Sequence, residues 1–90
     1  MRPSTFAHLV SKSKEHQQHL ESNLKVFAAT GAVIYLEEAY EQSVKYETNA
    51  QLMQKEFDTP TSQKLVADRT DIRLTIETLL RHTKVAQQAA

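Results

Sequence analysis

The chain contains no cysteine, which excludes disulfides, thiolate metal ligands and a cysteine nucleophile. It has a single glycine and two prolines, and it has neither a glycine-rich phosphate loop nor a nucleophile elbow. The longest uncharged apolar run covers residues 26–36, about half of what a membrane-spanning helix needs. Residues 1–10 contain no hydrophobic stretch of signal-peptide length. We therefore expect a cytoplasmic protein without a transmembrane helix.

Charge is balanced over the whole chain but unevenly distributed along it. Eleven basic and eleven acidic residues leave no net field that would attract nucleic acid or an anionic membrane. The formal charge is +2 over residues 1–31, −4 over residues 32–58 and +2 over residues 59–90. An acidic middle segment between two basic ones indicates complementarity inside the chain or, alternatively, an acidic face offered to a basic partner, whose binding salt would weaken.

Apolar residues recur at spacings of three and four, and nothing alternates with the two-residue period of a strand. The pattern predicts an all-α fold: one domain over residues 1–90, with helices at about 4–29, 32–57 and 60–87. Gly31 favours a break because glycine suits the left-handed position after a helix; without that break, residues 20–57 form one long helix and the fold becomes a helical hairpin. Thr59 and Pro60 are a favoured start for the third helix. We expect a three-helix bundle or hairpin completed by dimerisation.

Each predicted helix has a candidate core face. These faces contain Phe6, Leu9, Leu20, Leu24 and Phe27; Ala32, Leu36, Ala39, Tyr46, Ala50, Met53 and Phe57; and Leu65, Ile72, Ile76, Leu79, Leu80 and Ala86. The first face is interrupted between Ser11 and His19, where no residue is apolar. Either this part of the helix is loosely held, or Ser13 and His16 meet polar groups across an interface.

The first turns of the second helix are apolar over more than one face, which is unusual for a surface helix of a small domain. Val33, Tyr40 and Val44 form a second stripe, and Ile34 lies at the back. We predict that this stripe contacts a helix of another chain; the alternative is packing against the first helix of the same chain. A sparser stripe on the third helix is incidental surface or the edge of an oligomer contact. The predicted partner-binding residues are Val33, Ile34, Tyr40, Val44, Leu74 and Val85.

The residues suited to acid–base or metal chemistry form no strong motif. His16 and His19 are one turn apart, but two imidazoles make a weak site because zinc sites use three or four protein ligands. The carboxylates Glu37, Glu38 and Glu41 are predicted to lie on a solvated face. We therefore predict no enzyme activity, no cofactor and no metal.

A nucleic-acid interface is also disfavoured by the pattern. A helix-turn-helix with Gly31 as its turn glycine would need a small residue at position 27, which is Phe27. Basic residues of the third helix alternate with acidic ones and form no basic stripe.

In size, charge balance and lack of catalytic motifs, the chain resembles small helical-hairpin chaperones and anti-regulators, although no motif supports transferring a residue role from them. The leading prediction is a non-catalytic helical interaction module, an adaptor, chaperone-like protein or anti-regulator, that binds a partner protein as a homodimer. The alternatives are a nucleic-acid-associated regulator and a histidine-based metal-binding helical bundle.

Overall fold

Three α-helices make up the fold in a computed structural model, which describes residues 3–89, with side chains from Thr5 onwards. Helix α1 spans Pro3–Thr30, α2 spans Val33–Glu56 and α3 spans Pro60–Ala89. No strand occurs within residues 3–89, so the all-α prediction is confirmed, and the helix ends differ from the predicted ones by one or two residues. Within this part of the chain, no helix is both long enough and apolar enough to cross a membrane.

Gly31 ends α1, as predicted, and the single long helix is wrong. Its φ angle is 70°, in the left-handed region, and its N–H donates to the carbonyl of Phe27 at 2.7 Å. This bond closes the helix with the single-bond left-handed cap. The Thr30 hydroxyl donates to the carbonyl of Val26 at 2.8 Å and accepts from the N–H of Ala32 at 3.2 Å. The connection therefore needs only two residues outside the helices.

Gly31→Ala is expected to lower the free energy of unfolding by about 1 kcal/mol, because a β-carbon disfavours a left-handed backbone. No heavy atom lies within 4 Å of the added β-carbon, so the cost comes from the backbone alone. Thermal melts monitored by circular dichroism should show a midpoint lower by roughly 4–8 °C. Gly31→Asn is the matched control and should lose less, because asparagine tolerates this conformation. An alanine variant as stable as the wild type would contradict this account of the turn.

The start of α3 is capped by a reciprocal pair of hydrogen bonds. The Ser62 N–H donates to Thr59 Oγ1 at 3.1 Å, and the Thr59 N–H donates to Ser62 Oγ at 2.9 Å. Pro60 occupies the first helical position, as predicted. Asp58 Oδ1 accepts from Gln63 Nε2 at 3.0 Å and from Gln54 Nε2 at 3.1 Å. Both hydrogen bonds lower the pKa of Asp58, and the one from Gln63 has the larger effect. The α2–α3 turn is thus held from both sides.

Helix α2 is the central element, because the backbones of both other helices lie close to it and not to each other. No Cα atom of α1 lies within 8 Å of one in α3 over the described residues, whereas helices that pack directly have axes about 8–10 Å apart. The Cα trace measures 51 × 20 × 14 Å. The helices therefore occupy three corners of a four-helix arrangement, and a long open face lies between α1 and α3.

The core is small and is centred on α2. Its buried members are Leu20, Leu36, Ala39 and Ile76, against which Leu24, Phe27, Tyr40 and Leu80 pack. Several residues predicted for the core are instead exposed, namely Ile72 (37%), Leu79 (44%), Phe57 and Ala86. Ile72 and Leu79 stay exposed because α3 has only one helical neighbour. Phe57, just beyond the end of α2, makes an edge-to-face contact with Phe6, with ring centroids 5.1 Å apart.

Candidate functional site

A buried arginine links the three helices through polar contacts. Arg69 of α3 is only 6% exposed, and its Nη1 donates to the Tyr46 carbonyl at 3.0 Å and to Asn49 Oδ1 at 3.3 Å. Its guanidinium carbon lies 3.8 Å from the centroid of the Tyr46 ring. Asn49 Nδ2 in turn donates to the carbonyl of Leu9 in α1 at 2.9 Å. Burial lowers the pKa of Arg69, and Tyr46 partly offsets this effect.

A second polar cluster joins α2 to α3. The Glu47 carboxylate accepts from Thr70 Oγ1 at 2.5 Å and from Arg73 Nε at 2.7 Å, and Arg73 also pairs with Glu77 at 3.3 Å. Burial alone would raise the pKa of Glu47, but the hydrogen bonds from Thr70 and Arg73 and the charge of Arg73 outweigh it, and the pKa is lowered. The cluster thus holds an ion pair across the contact between α2 and α3, with Thr70 and Glu77 as further partners.

The polar interruption of α1 meets α2 through polar contacts. Ser13 is buried, and His16 Nδ1 lies 3.1 Å from Gln42 Oε1. For His16, the structure therefore favours polar contact across the interface over a loosely held segment. Sequence reasoning missed the buried roles of Glu47, Asn49 and Arg69; the available signal was that Arg69 lies three residues before Ile72 and seven before Ile76, on the predicted core face.

A groove runs between α1 and α2 on the side away from the open face. Its volume is about 290 Å³, and we call it the basic groove. Its lining comprises His8, Leu9, Lys12, His16, Val44, Lys45, Thr48, Asn49 and Leu52. No carboxylate is among these residues, whereas two lysines and two histidines are. The groove therefore combines apolar side chains with positive charge.

The open face between α1 and α3 is a second unpartnered surface. Four apolar residues of α3 are spaced seven apart along it, namely Leu65, Ile72, Leu79 and Ala86. The corresponding side of α1 carries Val10, Gln17 and Leu24, also seven apart. Val10, Ile72 and Leu79 are large apolar residues that remain exposed.

The structure distributes the predicted partner-binding residues over several surfaces. Tyr40 is half-buried against the core of its own chain, and Val33 is also half-buried. Of the six, Val44 alone lines the basic groove. The remaining three, Ile34, Leu74 and Val85, are exposed.

Each cation of α3 is buried or lies beside a carboxylate. Lys64 pairs with Asp68 at 3.2 Å, Arg73 with Glu47 at 2.7 Å, Arg81 with Glu77 at 4.0 Å and Lys84 with Glu37 at 3.4 Å, while Arg69 is buried. Two of these pairs join the acidic α2 to α3, which favours charge complementarity inside the chain. Among the described residues, no three histidine or carboxylate side chains are placed to hold a metal ion together.

Comparison with known proteins finds no relative of this chain. The chain matches no protein-family model, and no curated protein and no solved structure matches it.

Proposed function

We propose that this chain is a non-catalytic protein–protein interaction module of the cytoplasm, an adaptor, chaperone-like protein or anti-regulator, that binds an acidic amphipathic helix of a partner protein. The observation that supports this best is the basic groove, in which lysine and histidine side chains surround apolar ones. Helix-in-groove recognition uses an apolar stripe for affinity. Charges at the edge of such a contact select the partner.

The apolar part of the groove argues for a protein ligand. Leu9, Val44 and Leu52 line it, and Val44 and Leu52 are exposed although both are large and apolar. Covering them removes apolar surface from water, at about 25 cal/mol per Å². A partner helix with leucines on one face supplies that cover.

The charges of the groove argue that the partner is acidic. Lys12 and Lys45 are basic at neutral pH, and the one ion pair of Lys12 is with Glu15 at 3.3 Å on the exposed surface. Exposed pairs of this kind contribute about 0–1 kcal/mol, so Lys12 remains available for a partner carboxylate. Nucleic acid is the less favoured ligand, because phosphate contacts make no use of the apolar side chains, and because acidic residues alternate with the basic ones along α3.

The test uses two synthetic amphipathic helices that share a leucine face and carry either glutamates or lysines beside it. Fluorescence anisotropy should show the glutamate peptide binding at least roughly tenfold more tightly at low salt, with an advantage that shrinks as salt is added. Lys12→Glu with Lys45→Glu should abolish or invert this preference, because it reverses the charges of the groove.

Lys25→Glu with Lys55→Glu is the matched control, since both lysines are exposed and neither lines the groove. The control should retain the preference of the wild type. Equal binding of both peptides, or an equal loss in the two double variants, would contradict the proposal. Tight binding of duplex DNA with a steep salt dependence and no peptide binding would favour the nucleic-acid alternative instead.

A further inference from the structure

We propose that a second copy of this chain covers the open face, in an antiparallel arrangement with a two-fold axis that crosses α1 near Gln17 and α3 near Thr75. This surface is separate from the basic groove, so the proposal goes beyond the proposed function and does not depend on it.

The apolar pattern of the open face is that of a helix-packing seam. Residues spaced seven apart stay on one side of a helix over several turns, as in coiled coils. On α3 this spacing places Ile72 and Leu79 on the same side of the helix, about two turns apart, where they are 37% and 44% exposed. On α1, Val10 lies on the side away from His8 and Lys12, which face the basic groove. Both edges of the open face thus carry exposed large apolar side chains, Ile72 and Leu79 on α3 and Val10 on α1.

The charges of α1 identify the occupant as an antiparallel copy. Lys14 and Glu21 are exposed on the side of α1 that carries Val10, and they are seven residues apart. Within the described part of the chain, Lys14 has no carboxylate partner, and Glu21 accepts only an amide hydrogen bond, from Gln17 Nε2 at 3.2 Å. An antiparallel two-fold axis midway between them places Lys14 of each copy opposite Glu21 of the other.

The same axis suits α3. Leu9 of α1 and Arg69 of α3 both form a hydrogen bond with Asn49, and Leu20 of α1 and Ile76 of α3 belong to the same core cluster. Each residue of α1 therefore lies at the same height along the bundle as the residue about 58 positions later in α3. The axis that crosses α1 near Gln17 therefore crosses α3 near Thr75. At this position the axis places Ile72 and Leu79 of one copy against the same two residues of the other copy. It also places the acidic N-terminal half of this face in one copy opposite the half that carries His82 in the other copy.

The molecule is long enough to offer an interface of ordinary size. Its Cα trace measures 51 × 20 × 14 Å, so a side along its length covers about 700–1,000 Å², comparable with the roughly 800 Å² that a standard interface buries on each partner. Antiparallel helices also place opposite ends of their dipoles together. Size, apolar spacing and charge therefore agree on one occupant.

Sedimentation equilibrium tests the arrangement. The wild type should sediment at twice the chain mass of 10.3 kDa. Lys14→Glu and Glu21→Lys should each raise the dimer dissociation constant at least roughly tenfold, because each brings like charges together. The double variant Lys14→Glu with Glu21→Lys should restore the dimer, since it exchanges the two charges. Glu38→Lys, an exposed position on α2, is the control and should stay dimeric.

Two further double variants, both on α3, test the apolar contact of the open face. Ile72→Lys with Leu79→Lys should give a folded monomer. Leu74 and Val85 are exposed, and helical spacing places them on a different side of α3, so Leu74→Lys with Val85→Lys should remain a dimer. Circular dichroism checks folding, and if the first pair unfolds, the charge-exchange series decides alone. A monomeric wild type at its highest soluble concentration, a double charge exchange that stays monomeric, or a dimer broken by the Leu74 and Val85 variants would overturn the proposal.

These outcomes are distinguishable from those that test the basic groove. A monomeric wild type that still prefers the glutamate peptide overturns the dimer and leaves the proposed function in place. A wild type that is dimeric but binds both peptides equally well overturns the proposed function and leaves the dimer in place.

Discussion

Leu36→Ala is expected to lower the free energy of unfolding by about 3 kcal/mol, within the range of roughly 2–5 kcal/mol for truncating a buried leucine. Leu36 is 0% exposed and belongs to the core cluster with Leu20 and Ile76. The truncation leaves a cavity where all three helices contribute side chains. For a domain with a total stability of about 5–15 kcal/mol, this is a large fraction. Urea denaturation followed by circular dichroism measures it.

Leu52→Ala is the matched control, because Leu52 lies on the same helix and is 43% exposed. Its truncation should cost less than about 1 kcal/mol, since much of its side chain already faces water. Equal losses in the two variants would contradict the placement of the core on the Leu36 face of α2.

Glu47→Gln is expected to cost about 2 kcal/mol at neutral pH, because hydrogen bonds to a charged group contribute roughly 1.5–3 kcal/mol. Its carboxylate accepts from Thr70 and Arg73 at 2.5 and 2.7 Å, and Glu47 is buried. The loss is smaller than for a fully buried pair, because Arg73 is partly exposed and keeps its contact with Glu77.

The same variant should change the response to acid. The pKa of Glu47 is lowered below the ordinary 4.5, so the folded state binds the proton less readily than the unfolded state does. The ionised carboxylate therefore stabilises the fold above pH 4.5, and this contribution is lost as the pH falls below that value. In Glu47→Gln the stability should fall less steeply below pH 4.5, as measured by urea denaturation at successive pH values.

Glu37→Gln separates this effect from that of an exposed pair. Glu37 contacts Lys84 at 3.4 Å, and both side chains are substantially exposed, so we expect a change of less than about 0.5 kcal/mol. If Glu47→Gln left the acid response unchanged while Glu37→Gln weakened it, the carboxylate at position 47 would not be the buried partner described here.

Local signals predicted the limits of the helices well. Gly31 and the Thr59–Pro60 pair act through the backbone conformation and hydrogen bonding of a few neighbouring residues, so their effects can be inferred without knowing the tertiary packing. Leu36 and Ala39 were also placed correctly in the core, because the face that a helix buries follows from its apolar spacing.

Periodicity could not show how many neighbours each helix has. Ile72 and Leu79 share a face with Ile76 in the sequence pattern, yet only Ile76 lies where α2 covers α3. The buried polar residues were missed for a related reason. In the sequence, Arg69 is one of several basic residues of α3; its burial depends on Tyr46 and Asn49 lying across the interface, which no spacing along one helix reveals.

The central position of α2 also bears on how the chain folds. Over the described residues, the backbones of α1 and α3 each lie close to that of α2 and not to each other, so the chain consists of two helical hairpins that share α2. Chains dominated by contacts between sequence neighbours have low contact order and fold in microseconds to milliseconds. The turns that must close are only a few residues long, which keeps the entropic cost of each closure small. Either hairpin can therefore form first, with α2 as the surface on which the remaining helix docks.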